Sequence, residues 1–235
     1  MTTDPRKGEQ ASLVLVHAAW ADGSSWSRVI TALRAKGVQC HAAQLSLTSV
    51  EDDVAAVERT VERVAAGPVA LVGHAYSSAV ISSVRSDQVT GLVHVTGLTP
   101  AEKETVADVF HRAAPDPRAP ALEPDAHGYV WLPDTAFEEV FAQDASPEDQ
   151  AVLAAVQRPI AAVCIGTPLG RPLWGDLPSW YVVAEKDRMI SPGTQRFLAE
   201  RMNAHVRSLP SGHVPMVTAA ASLADLLHEA ACELG

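Results

Sequence analysis

The sequence has few cysteines and no long apolar run, and each shortage argues against a class of protein. Cys40, Cys164 and Cys232 are far apart and odd in number, which argues against a disulfide framework and predicts buried, reduced thiols. The run SLVLV near the N-terminus has the length of a strand and is too short for a signal-sequence core or a membrane span. We therefore expect a cytoplasmic protein that has no membrane partner.

Basic residues are also scarce. The chain has 18 Lys and Arg against 28 Asp and Glu, which gives a formal net charge of −10. Because a surface this acidic repels phosphate backbones, the charge balance argues against a nucleic-acid partner. Apolar residues, by contrast, are plentiful: 47% of the 235 residues are hydrophobic, enough for the core of one α/β domain.

Recognisable metal and nucleotide motifs are missing as well. No two histidines have a spacing such as HExxH, no local cluster of Asp, Glu and His suggests a metal site, and neither GxGxxG nor a P-loop is present. We therefore expect no metal and no cofactor. The expected partner is a small-molecule substrate, bound by a monomer or a homodimer.

Short apolar runs alternate with helical stretches along most of the chain. Strands are predicted at 12–19, 38–45, 68–75, 91–97, 179–186 and 204–210. Helices are predicted at 24–37, 50–67, from about 75, at 192–202 and from about 215. This alternation predicts an α/β fold with a mostly parallel, doubly wound sheet of about six strands, covered by helices on both faces.

The alternation stops between Thr99 and Pro178, in a segment rich in Pro and Asp. Helical patches are predicted at 102–112, 134–143 and 147–157, with no convincing strand. We therefore predict a helical lid at 100–178, inserted after the fourth strand, and a core made of 1–99 and 179–235. An insertion at this end of a strand lies over the ligand site of an α/β sheet, so the lid's aromatic residues are expected to face an apolar pocket or to pack the lid's own core.

Loops after the predicted strands carry the residues of chemical interest. At GHAYS (73–77) the third strand runs into a turn and a helix, the setting of the hydrolytic motif Gly-x-Ser-x-Gly, but Ala75 stands where that motif has its nucleophile. AEKDRMISP (184–192) and PSGHVPM (210–216) follow the last two strands. Because the C-terminal ends of parallel strands meet at one edge of the sheet, these loops are expected to converge.

Taken in order, these motifs resemble the α/β-hydrolase superfamily over nearly the whole chain. The resemblance is greatest to its small bacterial esterase-like and hydroxynitrile-lyase-like members, which carry an HG-x-W-like loop, a GHSxGG elbow, an acid after the next-to-last core strand and a late SGH. Here the first loop reads His17-Ala18-Ala19-Trp20, the acid matches Asp187 and the late histidine matches His213. The resemblance implies an α/β-hydrolase fold in which Ala75 occupies a vacated nucleophile position.

The resemblance also implies a role for each matching position. Asp187 would orient His213, which can act as a general acid or base because its proton affinity lies near working pH. The backbone N–H groups of Ala19 and Tyr76 would form an oxyanion hole. Glu185 competes with Asp187 for the role of the acid, but it still lies within the predicted strand, so Asp187 is preferred.

Other residues around the site are expected to bind the substrate or support the loops. We expect the substrate to contact Trp20, Tyr76, Trp131, Phe137 and Val214. His17 and His74 are expected to support the loops by hydrogen bonding, and His94 to be a core histidine within a strand.

Two explanations compete for Ala75: a deliberate replacement that inactivates an esterase, or a natural residue around which the site has been re-tuned. Ser77, Ser78 and Ala18 also depart from the family pattern, and an inactivating experiment would not make those changes. They favour the natural explanation. Ser77 and Ser78 fall within the first turn of the predicted helix rather than at the tip, so neither is expected to replace the nucleophile.

Three functions fit this pattern. The first is an enzyme that uses a His–Asp general base and a backbone oxyanion hole for a non-hydrolytic step, such as cyclisation, addition or elimination, lyase chemistry or isomerisation. Its substrate would be a small, largely apolar, carbonyl-bearing metabolite. The second is a serine carboxylesterase-type hydrolase whose nucleophile was replaced by Ala75. The third is a ligand-binding pseudoenzyme, which would not need to keep both His213 and Asp187.

Overall fold

A six-stranded parallel sheet forms the centre of the molecule. The computed structural model describes residues 10–64 and 66–235. Within them the strands are β1 (Ser12–Val16), β2 (Cys40–Ala43), β3 (Val69–His74), β4 (Val89–Val95), β5 (Tyr129–Val130), β6 (Ile160–Ala161), β7 (Ser179–Ala184) and β8 (His205–Leu209). The large sheet has the order β2-β1-β3-β4-β7-β8, and all its neighbouring strands are parallel. The predicted α/β architecture with a six-stranded parallel sheet is confirmed.

Helices connect the strands and cover both faces of the sheet. They are α1 (Ser27–Ala35), α2 (Val50–Val64), α3 (Ser77–Ser83), α4 (Val106–Phe110), α5 (Asp134–Ala136), α6 (Pro147–Val156), α7 (Ala162–Gly166), α8 (Pro192–Arg201), α9 (Pro215–Thr218) and α10 (Ala220–Glu233). Short 3₁₀ turns occur at Gly23–Trp26 and Leu173–Gly175, and a π-helical turn at Phe137–Phe141. None of the described helices is long and apolar enough to cross a bilayer.

Burial along each strand follows its place in the sheet. Every residue of β3 and of β7 is buried, since both strands have neighbours on either side and helices above and below. In the edge strand β8 only Leu209 is buried. Apolar runs such as VALVGH therefore mark the centre of the sheet, whereas the mixed run HVRSL marks an edge.

Between β4 and β7 the chain leaves the sheet and forms an insertion of short elements. The helix predicted from 102 begins only at Val106, because the Thr105 side chain accepts a hydrogen bond from the Asp108 N–H and caps the helix there. A strand pair that the sequence did not predict is present, with Tyr129 opposite Ala161 and Val130 opposite Ile160 in an antiparallel arrangement. Two-residue strands are too short to leave an alternating pattern.

The three cysteines are unpaired in the described structure. Cys40 and Cys164 are buried, as predicted for structural thiols, and burial raises the pKa of both thiols. Cys232 is exposed, which corrects the prediction that all three are buried. It lies in the last turn of α10, whose inner face is carried by residues such as Leu227 and Ala231.

His94 is a polar residue in the middle of the core. Its ring, in β4, is fully buried, and neither nitrogen has a hydrogen-bond partner among the described residues. Burial lowers the pKa of His94 from 6.5 to about 3, because a charge is poorly solvated in an apolar interior. The ring therefore stays neutral in the folded protein at every pH near neutrality.

This burial predicts a loss of stability in acid. Between about pH 6.5 and about pH 3 the unfolded chain protonates His94 and the folded chain does not, so stability falls as the pH falls through that window. At pH 5 the contribution is roughly 2 kcal/mol. Urea unfolding at pH 7 and at pH 5 measures this contribution. Between the two pH values, the free energy of unfolding of His94→Leu is expected to fall by about 2 kcal/mol less than that of the parent.

The exposed His127 provides the control. His127→Gln replaces an exposed histidine, so comparing it with His94→Leu shows whether the effect depends on burial of the ring. Equal losses for the parent and for His94→Leu would contradict the assignment of the acid sensitivity to His94.

Candidate active site

The loops that follow β1, β3, β4, β7 and β8 surround one cavity of about 370 Å³ at the C-terminal edge of the sheet. Its lining is mostly apolar and comes from both the sheet and the insertion. The sheet side contributes Ala18, Ala19, Trp20, Ala75, Tyr76, Leu98, Met189, Ile190 and His213. The insertion contributes Val106, Ala107, Phe110, His111, Pro115, Ala119, Pro120, Ala121, Leu122, Glu123, Phe141, Ile160 and Ile165. The predicted convergence of the loops at this edge is thus observed.

His213 and Asp187 are hydrogen-bonded at the sheet side of the cavity. The Nδ1 atom of His213 lies 2.8 Å from Asp187 Oδ2. The buried carboxylate also accepts hydrogen bonds from the N–H groups of Met189 and Ile190 and from the Gln195 amide, at 2.8 to 2.9 Å. These donors offset the cost of burying the carboxylate and fix its orientation. Nδ1 of the imidazole therefore donates to Asp187, which leaves Nε2 to accept a proton.

The ring of His213 is held on two further sides. His74 Nε2 donates a hydrogen bond to the backbone carbonyl of His213, over 2.8 Å. Burial lowers the pKa of His74 well below its usual value, so this ring stays a neutral donor. On another side the Phe141 ring packs against the imidazole, with 5.3 Å between centroids. The base candidate is therefore fixed by its hydrogen bond to Asp187, by the His74 contact with its backbone and by the packed Phe141 ring.

The turn after β3 is strained at its tip. Ala75 has φ +49°, a left-handed conformation that costs a non-glycine residue roughly 1 kcal/mol. Gly73 permits the turn, since a Cβ there would lie 2.9 Å from the Ser77 carbonyl group. Ser77 braces it: its hydroxyl donates to Val16 O and accepts the His74 N–H, both over 2.8 Å. These contacts hold the Ala75 methyl at the cavity wall.

Two backbone N–H groups are free at the same wall. Those of Ala19 and Tyr76 have no hydrogen-bond acceptor among the described residues, and both residues line the cavity with Ala75 and His213. The next residue, Trp20, has φ +58°, and its N–H donates to Arg158 O in the insertion. The arrangement can therefore offer two unpaired donors to an oxygen of a bound molecule.

The Tyr76 side chain points away from this chemistry. Its hydroxyl donates to Asp53 Oδ2, over 2.9 Å, and burial raises the pKa of Tyr76 above its usual value, which makes the phenol a neutral donor. Asp53, in α2, also accepts the Leu47 N–H. Sequence reasoning missed Asp53 because it reads as one of three acidic residues in the first turn of a helix.

Three of the predicted substrate contacts are absent from the cavity lining. Trp131 is 50% exposed and donates to Asp125 outside the cavity. Phe137 is fully buried behind Phe141, which lines the cavity in its place. Val214 is buried at the start of α9 and is absent from the lining. Trp20 and Tyr76 do line the cavity.

His17 and Glu185, two other residues considered from the sequence, have hydrogen-bond partners away from His213. His17 Nε2 accepts the Leu45 N–H and Nδ1 donates to Ala18 O, while burial lowers the pKa of His17 to about 4. Glu185, the competing acid, pairs with Arg196 at the surface instead of with His213. In the described part of the chain, no three His, Cys, Asp or Glu side chains come together as possible metal ligands.

Comparison with known proteins places this geometry in a family. Residues 13–226 match the sequence model described as the Alpha/beta hydrolase family. A pyrethroid hydrolase of Sphingobium wenxiniae is 25% identical over 242 residues, covering 92% of this chain and 85% of that protein.

Solved structures extend the likeness to the whole architecture. The crystal structure of the pyrethroid hydrolase PytH has a TM-score of 0.79 at 23% identity, covering 94% of this chain and 97% of that one. Polyneuridine aldehyde esterase has a TM-score of 0.80 at 14% identity, covering 94% and 99%. At these identities the structures show that the fold, including the insertion, is shared.

The strained turn predicts an unusual response to glycine. Ala75→Gly is expected to raise the free energy of unfolding by about 0.5–1 kcal/mol, because glycine adopts a positive φ without steric cost. Ala79, within α3 and also buried, is the matched control. There Ala79→Gly is expected to lower stability by about 1 kcal/mol or more. Denaturant unfolding measures both changes, and two changes of the same sign would contradict strain at Ala75.

Proposed function

This chain belongs to the α/β-hydrolase family, and on that premise we propose that it is an enzyme that activates a carbonyl compound without a covalent intermediate. The observation that carries the proposal is the set of residues that line the cavity. His213, bonded to Asp187, lines the same cavity as Ala75. So do Ala19 and Tyr76, whose N–H groups have no acceptor among the described residues. We infer that Ala75 holds the position where a catalytic serine would lie, at the strained tip that follows β3.

The side chains most often used for acyl transfer are not in the described cavity lining. Among the described residues, no Ser, Thr, Cys or Lys lines the cavity. Ser77 and Ser78 are fully buried, and their hydroxyls donate to the backbone carbonyls of Val16 and Gly73. An acyl-enzyme on a Ser, Thr, Cys or Lys side chain would therefore have no group in the described cavity on which to form.

The proposed mechanism needs only a base and an oxyanion site. Nε2 of His213 takes a proton, and Asp187 stabilises the imidazolium that results. The N–H groups of Ala19 and Tyr76 stabilise the negative charge that develops on the carbonyl oxygen. The cavity's volume and apolar lining suit a small to medium, largely apolar substrate.

The source of the proton decides the reaction. If it comes from water, the result is direct hydrolysis. If it comes from a hydroxyl or an acidic C–H of the substrate, the result is cyclisation, elimination, lyase chemistry or isomerisation. The sequence alone favoured the second group, but the similar proteins named above are hydrolases and an esterase. We therefore give direct hydrolysis equal place within the proposal.

A second candidate is a serine esterase whose nucleophile was replaced. The observation in its favour is the positive φ of Ala75, since a strained turn is the setting in which this fold presents a nucleophile. The two candidates differ in what a serine at position 75 would do.

The first test removes the base. His213→Ala is expected to lower turnover about 10²–10⁴-fold, and Asp187→Asn to lower it as well, because Asn cannot stabilise the imidazolium. The assay is a panel of aryl esters, β-hydroxy ketones and 1,3-dicarbonyl compounds, with a serine-directed phosphonate that should leave the parent unlabelled. Turnover that survives His213→Ala in a folded variant would contradict the proposal.

The second test restores the hydroxyl. Ala75→Ser is expected to remain without phosphonate-sensitive esterase activity if the site is adapted to non-covalent chemistry. A strong gain of such activity on short aryl esters, lost again in Ala75→Ser/His213→Ala, would instead establish the replaced-nucleophile candidate. Circular dichroism and thermal melting confirm that each variant is folded.

A further inference from the structure

The insertion makes direct hydrogen bonds to the two loops that carry His213 and Asp187. We call residues 139–144, which run from the π-helical turn toward α6, the clamp segment. Asp144 Oδ2 accepts the N–H of Gly212, over 2.7 Å, and Gln143 Nε2 donates to the carbonyl of Lys186, over 2.8 Å. Gly212 and Lys186 are the residues immediately before His213 and Asp187.

The two loops are joined to each other at the same place. The N–H of Lys186 donates to Ser211 O, over 3.0 Å. Gln143 therefore donates to the Lys186 carbonyl, and Asp144 accepts from Gly212, the residue after Ser211. The hydrogen bonds form a closed ring through the clamp segment, the loop after β7 and the loop after β8, so a shift of the clamp segment moves both loops.

The side chains of the clamp segment pack closely against Gly212 within this set of hydrogen bonds. A Cβ at Gly212 would lie 2.5 Å from Asp144 Oδ1 and 2.5 Å from Gln143 Nε2. Only a glycine allows both side chains to reach the backbone at this point. The glycine of the SGH motif is thereby accounted for by contact with the insertion.

The clamp segment makes two more contacts near His213 and Asp187. Phe141 packs against the His213 ring, and Arg188 Nη1 donates to the Glu139 carbonyl, over 2.9 Å. The segment itself is held in place, because the Ala142 carbonyl accepts the Gln150 amide and the Ala145 N–H, both over 2.9 Å. Residues on either side of Asp187, and the residue before His213, are thus all bonded to one short stretch of the insertion.

We propose that Gln143 and Asp144 are positioning residues, and that the insertion sets the alignment of His213 with Asp187 as well as covering the cavity. The inference rests on the proposed role of His213 as the base. The bonds of Gln143 and Asp144 end on backbone atoms next to the pair, so their effect reaches the chemistry through His213 and Asp187.

The test measures the alignment directly and needs no substrate. In protein labelled with ¹⁵N-histidine, the two ring-nitrogen shifts of His213, assigned by their loss in His213→Ala, report which nitrogen carries the proton. The parent is expected to show the form protonated at Nδ1, as the bond to Asp187 requires. In Asp144→Ala the ratio of the Nδ1–H form to the Nε2–H form is expected to fall about fivefold, the factor that one lost net hydrogen bond gives.

Matched variants separate positioning from general stability. Asp144→Asn keeps an oxygen that can accept the Gly212 N–H and is expected to restore the parental ratio. Asp149→Ala breaks the ion pair with Arg28 that ties the same insertion to α1, and it is expected to leave the ratio unchanged even if the melting temperature falls.

The same contrast applies to the glutamines. Gln143→Ala is expected to lower the ratio. Gln157→Ala, which removes two bonds to the Leu132 backbone within the insertion, is expected to leave it unchanged. Should Asp144→Ala fail to fold, this pair decides the question.

An unchanged ratio in folded Asp144→Ala and Gln143→Ala would overturn the inference, and so would a parent that lacks the Nδ1–H form. Because no turnover is measured, these outcomes are independent of the proposed function. That proposal fails separately, if turnover survives His213→Ala.

Discussion

The hydrogen bond between His213 and Asp187 is the interaction on which the rest of the site depends. A buried carboxylate is costly unless donors surround it, and here they come from the turn after β7, from Gln195 in α8 and from His213 in the loop after β8. The order of the sheet, with β7 beside β8, brings these three elements together. The fold thus determines the partner, orientation and free nitrogen of the imidazole.

In the proposed function, the turn at Ala75 contributes to the oxyanion site through its backbone alone. Its backbone is fixed by bonds that no side chain at position 75 makes: the Ala75 N–H donates to Val95 O, and the Leu98 N–H donates to Ala75 O. Gly73 and Ser77 shape the same turn from below. Because the donors at Ala19 and Tyr76 are backbone groups, replacing a hydroxymethyl by a methyl leaves them in place. The proposed mechanism therefore separates stabilisation of a developing negative charge from covalent catalysis.

Sequence patterns predicted the parts of the molecule that follow from the periodicity of apolar residues or from the order of motifs along the chain. Apolar runs predicted the parallel sheet, and the loops that follow β1, β3, β7 and β8 brought the motif residues to one cavity. Trp131 and Phe137, two of the predicted substrate contacts that are absent from the cavity lining, lie in the insertion. Trp131 follows a two-residue strand and Phe137 begins a π-helical turn, and neither element leaves a regular period that shows which way a side chain points. Asp144 carries no sequence signal, because its contact with Gly212 joins residues far apart in the chain.

Phe141 explains why the insertion matters beyond covering the site. The same ring lines the cavity and packs on the imidazole, so a change that reshapes the pocket there also moves the base. An enzyme with a covalent intermediate has the attacking atom fixed to its own backbone. Without one, the rate depends on how closely a free water or a substrate proton approaches Nε2, and small displacements have large effects. In the proposed mechanism, substrate fit and the alignment of His213 are therefore coupled through one segment of the insertion, and the lack of a serine makes the rate more sensitive to that coupling.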